Sequence, residues 1–532
     1  MNRDNQNIVL IGFMGTGKTS IGKLLAKKLG YQFIDTDTMI EEESSKSINE
    51  IFDFHGQDYF RKLESDVAAR VSKEEKAVIS TGGGIVLNTE NMRRLSSTGT
   101  IICLKSHPDV LFSRLSQSHH RPLLAGANPL EMITKKLRSR RHLYNGDLNL
   151  DTSYLSKDEV VSRIIAFLNS PADLETMELN APSGSYQIAI GGNVLNDLPD
   201  MIRPIVGDGQ ILLVTSENIA PLWGEKFLSL LKKSGFSASK VIISDGEEFK
   251  SYESAMKIYG AALEQKLDRT STIIAVGGGV IGDLAGFVAS TYMRGIKVIQ
   301  IPTTLLAQVD SSIGGKTAIN HPNGKNMIGT FHQPSLVFSD TSTLTTLPKE
   351  EFINGMAEVI KYGVSLDKEL FEFLEKNIAG LLCFDQTLLN HVIKKCSFIK
   401  KSIVEQDEKE AGIRAILNYG HTLGHGVESA TNYKKYRHGE AVSIGMEFAA
   451  AFALSRGILS KEDYLRQKSL LEAFGLPTEF KDVDPESVLL PLMNDKKNEN
   501  GKIRMILPLS IGSARLFDDI TILELRTLLK LS

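Results

Sequence analysis

One segment near the start of the chain has the residue types and spacing of a phosphate-binding loop. Residues 12–19 read Gly-Phe-Met-Gly-Thr-Gly-Lys-Thr, after the apolar run Ile8–Ile11 and before a helix-like stretch. Glycines let consecutive backbone N–H groups converge on nucleotide phosphates, and the N-terminus of the following helix adds positive potential. The Lys18 ammonium can reach the β- and γ-phosphates, and the Thr19 hydroxyl can bind Mg²⁺. A chance glycine-rich turn is the alternative, which the strand–loop–helix context disfavours.

Polar residues downstream supply candidates for binding the acceptor of a phosphoryl group. Asp35 and Asp37 follow the strand-like Tyr31–Ile34. One carboxylate can serve Mg²⁺, and the other can bind or activate an acceptor hydroxyl. Arg61 offers a guanidinium to a carboxylate, and the glycines at 82–84 can bring backbone N–H groups close to an anion. Taken singly, these features also fit a turn, a surface charge and a tight loop.

A second group of reactive residues indicates a metal site. His421 and His425 are four residues apart, which places them on one face of a helix, and His438 follows closely. Upstream, Glu358 and Lys361 are one helical turn apart. Two histidines and a glutamate with an open position suit a catalytic zinc ion. Any single histidine also fits a hydrogen-bonded core role, but three of only 11 histidines lie within residues 421–438, which favours metal.

Glycines and cations in residues 275–326 indicate an anionic cofactor and substrate. Gly277–Gly279 follow an apolar strand, which is a common arrangement for binding dinucleotide phosphates. Hydroxyl, carboxylate and lysine side chains then recur on successive loops. Because the chain as a whole is not basic, lysines in these places suggest a phosphorylated or carboxylated ligand.

Length and composition exclude several classes of protein. A chain of 532 residues is too long for one hydrophobic core and predicts two to four domains. The 61 basic and 64 acidic residues give a net charge of −3, which argues against nucleic-acid or membrane partners. The three cysteines form no Cys-x-x-Cys, so neither a disulfide framework nor a thiolate zinc site is expected. The polar N-terminus and the lack of a long apolar run predict a cytoplasmic protein.

The elements that must position these residues change along the chain. Residues 8–168 alternate apolar strands with amphipathic helices, which predicts an α/β domain with a parallel sheet. Residues 169–184 are rich in Pro, Ser, Asn and Gly and are interpreted as a linker. The β/α alternation then restarts and gives way to helices. We therefore expect a P-loop domain (1–168), a linker (169–184), a Rossmann-like NAD-binding α/β domain (185–345) and a mostly α-helical domain for metal and substrate (346–532).

Together, the N-terminal motifs resemble the shikimate kinase family over essentially all of residues 7–168. The resemblance implies a P-loop kinase that phosphorylates the 3-hydroxyl of shikimate with ATP, with Lys18 and Asp37 catalytic. It assigns magnesium to Thr19 and Asp35. It places shikimate against Asp37, Arg61, Gly82, Gly83, Gly84 and Arg140, with Arg141 as the alternative to Arg140. It places ATP against Gly12, Gly15, Thr16, Gly17, Lys18, Thr19, Ser20 and the lid arginine Arg121.

The rest of the chain closely resembles the 3-dehydroquinate synthase family over residues 185–532. The matching segments occur in order: Asp245–Lys250, Gly277–Asp283, Tyr292–Gly295, Pro302–Lys316, Gly355–Lys361, Arg414–His425, His438–Val442 and Asp495–Asn498. The resemblance implies the conversion of 3-deoxy-D-arabino-heptulosonate 7-phosphate to 3-dehydroquinate plus phosphate. NAD and zinc (or cobalt) are the implied cofactors, and we consider a homodimer formed through this part.

The same resemblance assigns individual residues. Zinc is assigned to Glu358, His421 and His438, with His425 in the substrate pocket. NAD is assigned to Asn218, Glu247, Lys250, Gly278, Gly279, Asp283, Thr303, Thr304, Lys325 and Thr346. The heptulosonate phosphate is assigned to Arg294, Asp310, Lys316, Lys361, Lys400, Arg414, Asn418, His425 and a lysine of the pair Lys496 and Lys497. Lys316, Lys361, Arg414 and His425 are the implied catalytic residues.

Two other classes of protein share part of this pattern. A metal-dependent alcohol or polyol dehydrogenase has a similar fold and similar NAD and metal positions, but a neutral polyol does not require Lys316, Lys361, Lys400 and Arg414. The first part could also be an ATP-binding regulatory module without transfer activity. A sensor of ATP does not need the acceptor residues Asp37, Arg61 and Arg140, so the enzymatic interpretation is favoured.

Overall fold

The chain divides into two units, residues 1–169 (unit 1) and residues 170–532 (unit 2). The structure is a computed structural model that describes residues 6–116, 129–140, 143–144, 146–169, 174–322, 324–494 and 502–529. None of the helices in these ranges is both long enough and apolar enough to cross a lipid bilayer.

Buried apolar segments of unit 1 form a parallel sheet with the order β2–β3–β1–β4–β5. The strands are β1 (Asn7–Gly12), β2 (Gln32–Asp35), β3 (Ala77–Ser80), β4 (Gly99–Lys105) and β5 (Leu148–Asp151). The helices are α1 (Lys18–Leu29), α2 (Thr36–Ser44), α3 (Ile48–Val71), α4 (Thr89–Thr98), α5 (Pro108–Ser116), α6 (Pro129–Arg140) and α7 (Lys157–Leu168).

Strand β1 explains why unit 1 is covered on both faces. Its side chains alternate, so that Val9 and Ile11 pack into one apolar cluster and Ile8 and Leu10 into another. The loops that follow β1, β2 and β3 meet at the carboxyl edge of the sheet, which is where ligands bind in parallel sheets of this kind.

Unit 2 contains a seven-stranded sheet with the order β6–β7–β14–β11–β10–β8–β9, parallel except where β6 pairs with β7. Its strands are β6 (Glu175–Ala181), β7 (Gly184–Gly191), β8 (Ile211–Ser216), β9 (Ala238–Ile243), β10 (Thr272–Gly277), β11 (Lys297–Pro302) and β14 (Leu336–Asp340). Two separate hairpins are formed by β12 (Lys316–His321) with β13 (Gly324–Phe331), and by β15 (Lys502–Ser510) with β16 (Ser513–Thr521).

The helices of unit 2 flank the sheet and then form a helical region. The first four are α8 (Leu198–Val206), α9 (Glu225–Lys233), α10 (Tyr252–Glu264) and α11 (Gly279–Thr291). The helical region contains α12 (Lys349–Ser365), α13 (Lys368–Lys376), α14 (Ile378–Leu382), α15 (Gln386–Gln406), α16 (His421–Ala430), α17 (His438–Ser455), α18 (Lys461–Ala473), α19 (Pro485–Asn494) and α20 (Ile522–Leu528). The predicted fold class is confirmed.

The interpretation of residues 169–184 as a linker is partly wrong. Strand β6 occupies residues 175–181 and pairs antiparallel with β7, with Leu179 opposite Tyr186. Leu179 is buried, whereas most of its neighbours on β6 are exposed. An edge strand with one solvated face keeps a polar composition, which is why this strand looks like a linker in the sequence.

The helix that carries His421 and His425 begins at His421. Gly420 has a φ of 81°, a left-handed conformation that separates α16 from the preceding 3₁₀ turn at Ile413–Asn418. His421 is therefore the first residue of α16, and its side chain lies at the end of the helix and not within it.

Candidate active sites

The loop after β1 in unit 1 has the geometry of a phosphate cradle. Gly15 and Gly17 have φ values of 83° and 92°, and none of the described side chains caps the N-terminus of α1. The Lys18 ammonium donates to the carbonyl oxygens of Gly12 at 2.8 Å and Phe13 at 3.1 Å, so it closes the loop on itself. Uncapped N–H groups and a lysine folded across the loop are suited to binding an anion.

The two candidate aspartates lie beside this loop and have different surroundings. Asp35 accepts a hydrogen bond from the Thr19 hydroxyl at 2.9 Å, which joins the two residues predicted to bind magnesium. Burial and the neighbouring carboxylate of Asp35 raise the pKa of Asp37 to about 6. Asp37 can therefore exchange a proton near neutral pH, which suits a base for an acceptor hydroxyl.

The remaining described acceptor residues lie at the same edge of the sheet. Arg61 Nη1 donates to the buried Glu64 at 2.5 Å, and the guanidinium lies against Gly84, where a Cβ atom would overlap it. The Tyr144 hydroxyl donates to the Gly83 carbonyl oxygen at 2.6 Å. Burial raises the pKa of Tyr144 to about 12, although the neighbouring Arg140 opposes the shift. Arg121 and Arg141 lie outside the described residues.

The predicted zinc ligands of unit 2 converge from three helices. Glu358 on α12 is fully buried, and its Oε1 lies 3.5 Å from His421 Nε2 and 3.6 Å from His438 Nε2. Each residue offers a donor atom, and these atoms lie within 4.8 Å of one another. Neither carboxylate oxygen of Glu358 accepts a hydrogen bond from any described residue, although the Lys361 ammonium forms an ion pair with it.

Close packing of three helices accounts for this convergence. A Cβ atom at Gly445 on α17 would overlap the Gly420 carbonyl oxygen at the start of α16, and one at Gly439 would overlap the Asn354 carbonyl oxygen on α12. Because only glycine permits these approaches, α17 lies close enough to α16 and α12 to bring His438 to Glu358.

The charge states suit a cation. Burial and the Lys361 cation lower the pKa of His421 to about 3, so its imidazole is neutral and can donate a lone pair. Burial opposes a charge on His438, but the carboxylates of Glu358 and Glu428 outweigh it and raise the pKa to about 9. A metal ion would replace that proton. Two imidazoles and a buried carboxylate without hydrogen bonds form a donor set that fits zinc.

His425, on the same helix face as His421, belongs to a different group. It is exposed to solvent, and its donor atoms lie within 4.8 Å of those of Glu428 and His438. Together with His421 it lines a cavity of about 450 Å³. Helix spacing alone therefore does not select the metal ligands.

A cavity of about 400 Å³ next to the metal residues gathers most of the predicted substrate-binding residues. The side chains that line it include Asp310, Lys316, Lys361, Lys400, Arg414, Asn418 and His421. Lys400 donates to Asp310 Oδ1 at 2.6 Å, and burial lowers the pKa of Lys400 to about 8 against the effect of Asp310. Four cationic side chains in one cavity, which we call the cationic cavity, suit a ligand with phosphate and carboxylate groups.

The carboxyl edge of the seven-stranded sheet holds most predicted NAD-binding residues. Lys250 donates to Asp283 Oδ2 and to Asn326 Oδ1, both at 2.5 Å. Gly278 precedes α11, whose N-terminus has no side-chain cap. Thr303 donates its N–H to the Gly277 carbonyl oxygen at 2.9 Å, while its buried hydroxyl has no partner among the described residues. An uncapped helix N-terminus and an unpaired hydroxyl fit a dinucleotide.

Three other predicted residues, Arg294, Thr346 and Asn218, do not line the cationic cavity. Arg294 lies in the 3₁₀ turn after α11. The Thr346 hydroxyl accepts a hydrogen bond from Trp223 at 2.7 Å. Trp223 lies in the segment that follows β8, and this segment also contains Asn218. Lys496 and Lys497 lie outside the described residues.

Sequence reasoning missed three buried or lining carboxylates. Glu410 lines the cationic cavity, where it pairs with Lys316 and accepts a hydrogen bond from Asn418 at 2.7 Å. Glu64 pairs with Arg61, and Glu428 lies 3.4 Å from His438 Nδ1. Glu410 and Glu428 flank residues that were singled out, which is the only sequence signal that could have identified them.

These folds and sites define the class of each unit. Unit 1 is an α/β phosphotransferase of the P-loop class, and unit 2 is an α/β and α-helical enzyme of the dinucleotide- and metal-dependent class. Comparison with known proteins then gives the families. Residues 14–169 match the family model for shikimate kinase. Residues 240–354 and 355–498 match the models for the N-terminal and C-terminal parts of 3-dehydroquinate synthase.

Curated relatives agree with the family models. A 3-dehydroquinate synthase of Prochlorococcus marinus strain AS9601 is 49% identical over 340 residues, which is 63% of this chain and 94% of the relative. That of Thermodesulfovibrio yellowstonii is 48% identical over 357 residues, 67% of this chain and 99% of the relative. Among solved structures, the 2-epi-5-epi-valiolone synthase of Streptomyces hygroscopicus, with NAD⁺ and Zn²⁺ bound, is 28% identical with a TM-score of 0.61, covering 65% of this chain and 96% of its own. The chain belongs to the 3-dehydroquinate synthase family and has a shikimate kinase domain at its N-terminal end.

Proposed function

We propose that the chain is a bifunctional enzyme of the shikimate pathway. Unit 1 phosphorylates the 3-hydroxyl of shikimate with ATP, and unit 2 converts 3-deoxy-D-arabino-heptulosonate 7-phosphate to 3-dehydroquinate and phosphate. The observation that carries the second activity is the position of the cationic cavity, which His421 lines together with Lys361 and Arg414. A phosphorylated sugar acid requires cationic side chains next to the metal site. A neutral polyol requires no such cations.

In unit 1 the described side chains suit both the phosphoryl donor, ATP, and the acceptor, shikimate. Lys18 would leave the carbonyl oxygens of its own loop and stabilise charge on the transferring phosphoryl group. Asp37 would accept the proton of the shikimate hydroxyl, while Arg61 and Arg140 would bind the shikimate carboxylate. Thr19 and Asp35 would hold Mg²⁺.

In unit 2 Glu358, His421 and His438 would hold zinc or cobalt, and the N-terminus of α11 would bind NAD. When bound, these groups would supply Lewis-acid polarisation and a reversible hydride acceptor. The solved 2-epi-5-epi-valiolone synthase has NAD⁺ and Zn²⁺ bound.

The chain's own residues then bind and orient the substrate. Lys316 and Arg414 would bind its anionic groups, and Lys361 would balance the charge of Glu358. His425 is exposed in the cavity of about 450 Å³, which shares Lys316 and His421 with the cationic cavity. There it would accept a proton from the substrate or donate one to it.

Two assays on the purified full-length chain test the proposal. We expect ATP-dependent phosphorylation of shikimate and release of phosphate from the heptulosonate substrate from the same preparation. Lys18→Ala should remove the first activity and spare the second, and His421→Ala should do the reverse. Absence of either activity from the wild-type chain, with the other intact, would refute the assignment of that unit.

Metal content tests the ligand set separately from activity. We expect Glu358→Gln, His421→Ala and His438→Ala to lose bound zinc, because each removes one of three protein ligands. His425→Ala should keep the metal and lose turnover. Elemental analysis of these variants decides between His438 and His425, because metal lost from His425→Ala but retained in His438→Ala would identify His425 as the third ligand.

The proposal includes a cytoplasmic location and a homodimer formed through unit 2. Light scattering coupled to size-exclusion chromatography measures the mass of the purified chain in solution. A monomeric mass at micromolar concentration would exclude the dimer.

A further inference from the structure

A buried carboxylate outside the predicted ligand set faces the metal site. Glu428 lies on α16, one turn beyond His425, and its side chain is 3% exposed. Its Oε1 lies 3.4 Å from His438 Nδ1, and on the other side of that ring Nε2 lies 3.6 Å from Glu358 Oε1. The imidazole of His438 is therefore placed between two carboxylates.

The two ring nitrogens of a metal-binding histidine have different requirements. The nitrogen that binds the ion must present a lone pair, so the other nitrogen carries the hydrogen. A carboxylate that accepts this hydrogen selects the tautomer, orients the ring and raises its basicity. His421 has a neutral acceptor in this position, because its Nδ1 lies 3.2 Å from the Tyr419 carbonyl oxygen.

We infer that Glu428 is a positioning residue that holds Nδ1–H of His438 and directs Nε2 of that ring to the metal. The inference rests on the proposed metal site of Glu358, His421 and His438. The ammonium of Lys325 lies 3.6 Å from Glu428 Oε1 and 3.6 Å from Glu247 Oε1, and it balances the charge of the buried carboxylate.

A second ion bound by His425, Glu428 and His438 is the competing explanation, because their donor atoms also lie within 4.8 Å of one another. The chemistry of the ring disfavours it, because His438 would have to lose both ring hydrogens to bridge two ions.

The experiment measures metal affinity in the full-length chain. The metal is removed, and Zn²⁺ is titrated back in competition with a chromophoric chelator. We expect Glu428→Ala to raise the zinc Kd about 10- to 100-fold, the range found when such outer partners of metal ligands are replaced. Glu428→Gln, whose amide oxygen can still accept Nδ1–H, should raise it less. The visible absorption of the Co²⁺-loaded chain should shift in both variants, because the orientation of His438 changes.

Glu447→Gln is the matched control. Glu447 is another buried carboxylate, lies on the same helix as His438, and accepts a hydrogen bond from the Tyr464 hydroxyl at 2.6 Å. Its replacement disturbs α17 without touching the metal site, so the zinc Kd and the Co²⁺ spectrum should remain those of the wild-type chain. Glu428→Met keeps the length of the side chain without an oxygen acceptor, and it keeps the test valid if Glu428→Ala does not fold.

Each outcome supports or overturns the inference. An unchanged zinc Kd in Glu428→Ala, or in Glu428→Met if Glu428→Ala does not fold, overturns it, provided that His421→Ala loses the metal. If His421→Ala also keeps the metal, the proposed metal site itself is refuted. Two zinc ions per wild-type chain and one in Glu428→Ala would make Glu428 a ligand and overturn its positioning role.

Discussion

Lys18 illustrates, at the scale of single residues, how a side chain can be poised for a substrate. Its ammonium is held by two carbonyl oxygens of its own loop, at 2.8 and 3.1 Å. We expect Lys18→Ala to lower kinase turnover by about 10²-fold or more, because a charge on the transferring phosphoryl group is left uncompensated. Lys23→Ala, an exposed lysine on the same helix, is the control and should retain turnover. Unchanged kinase turnover in Lys18→Ala would contradict the P-loop assignment.

Asp37 leads to a prediction about pH. Burial, and then the charge of Asp35, raise its pKa to about 6, so the carboxylate that accepts the hydroxyl proton is lost as the pH falls through this value. We expect kcat/KM of the kinase for shikimate to fall below about pH 6, well above the value of about 4 for an ordinary aspartate. Synthase assays at the same pH show whether the whole chain is affected. An acid limb near pH 4 would contradict this environment for Asp37.

At the scale of secondary-structure elements, the packing of α16 against α17 sets the distance between the proposed metal ligands His421 and His438. A Cβ atom at Gly445 would overlap the Gly420 carbonyl oxygen, so Gly445→Ala must push the two helices apart. We expect a loss of about 1–3 kcal/mol in the free energy of unfolding together with weaker zinc binding. Gly260→Ala on α10 is the matched control, because a Cβ atom there meets no neighbouring atom within 4 Å. That variant should be stabilised by about 0.5–1 kcal/mol. Denaturant unfolding and metal titration measure both effects.

The hairpin of β6 and β7 supports a loop that leads to the cationic cavity. Asn180 N–H donates to Glu405 at 2.8 Å and Ser183 N–H donates to Glu408 at 3.2 Å, and the Glu408 carbonyl oxygen in turn accepts from Arg414 at 2.5 Å. We expect a chain starting at residue 174 to keep synthase activity. One starting at residue 185 should melt several degrees lower and have a higher KM, because it lacks β6 and Ser183. Equal melting temperatures and KM values would show that the hairpin has no such role.

At the scale of the whole molecule, the two activities should be separable. Unit 1 ends at Asn169 and has apolar clusters on both faces of its own sheet. We expect residues 1–169 to fold and phosphorylate shikimate alone. A chain ending at Ser156 is the control and should fail, because it lacks α7, whose Val160, Val161 and Ile164 complete one of these clusters. Insoluble product from cut points near Asn169 would contradict the boundary.

Local sequence patterns were sufficient to predict the features that depend on residues close together in the chain. The phosphate loop at residues 12–19 and the turn at Gly277–Gly279 each follow a buried strand, as predicted, because strand, glycines and helix are contiguous. The fold class followed from the period of the apolar residues. Strand β6 was missed although Met177, Leu179 and Ala181 alternate with polar residues, because the exposed polar face of the strand and the Pro, Ser and Gly residues around it dominate the composition of this segment.

Only the tertiary structure decided which side chains meet. Spacing along one helix leaves His425 and His438 as alternatives for the third ligand, and the packing of α17 on α16 brings His438 to Glu358. Glu410 and Glu428 enter their sites through contacts with Lys316 and His438, which lie on other elements. The physical reason is that pKa values and ligand sets depend on distances across the fold. These distances are set by the close approach of helices that are far apart in the sequence.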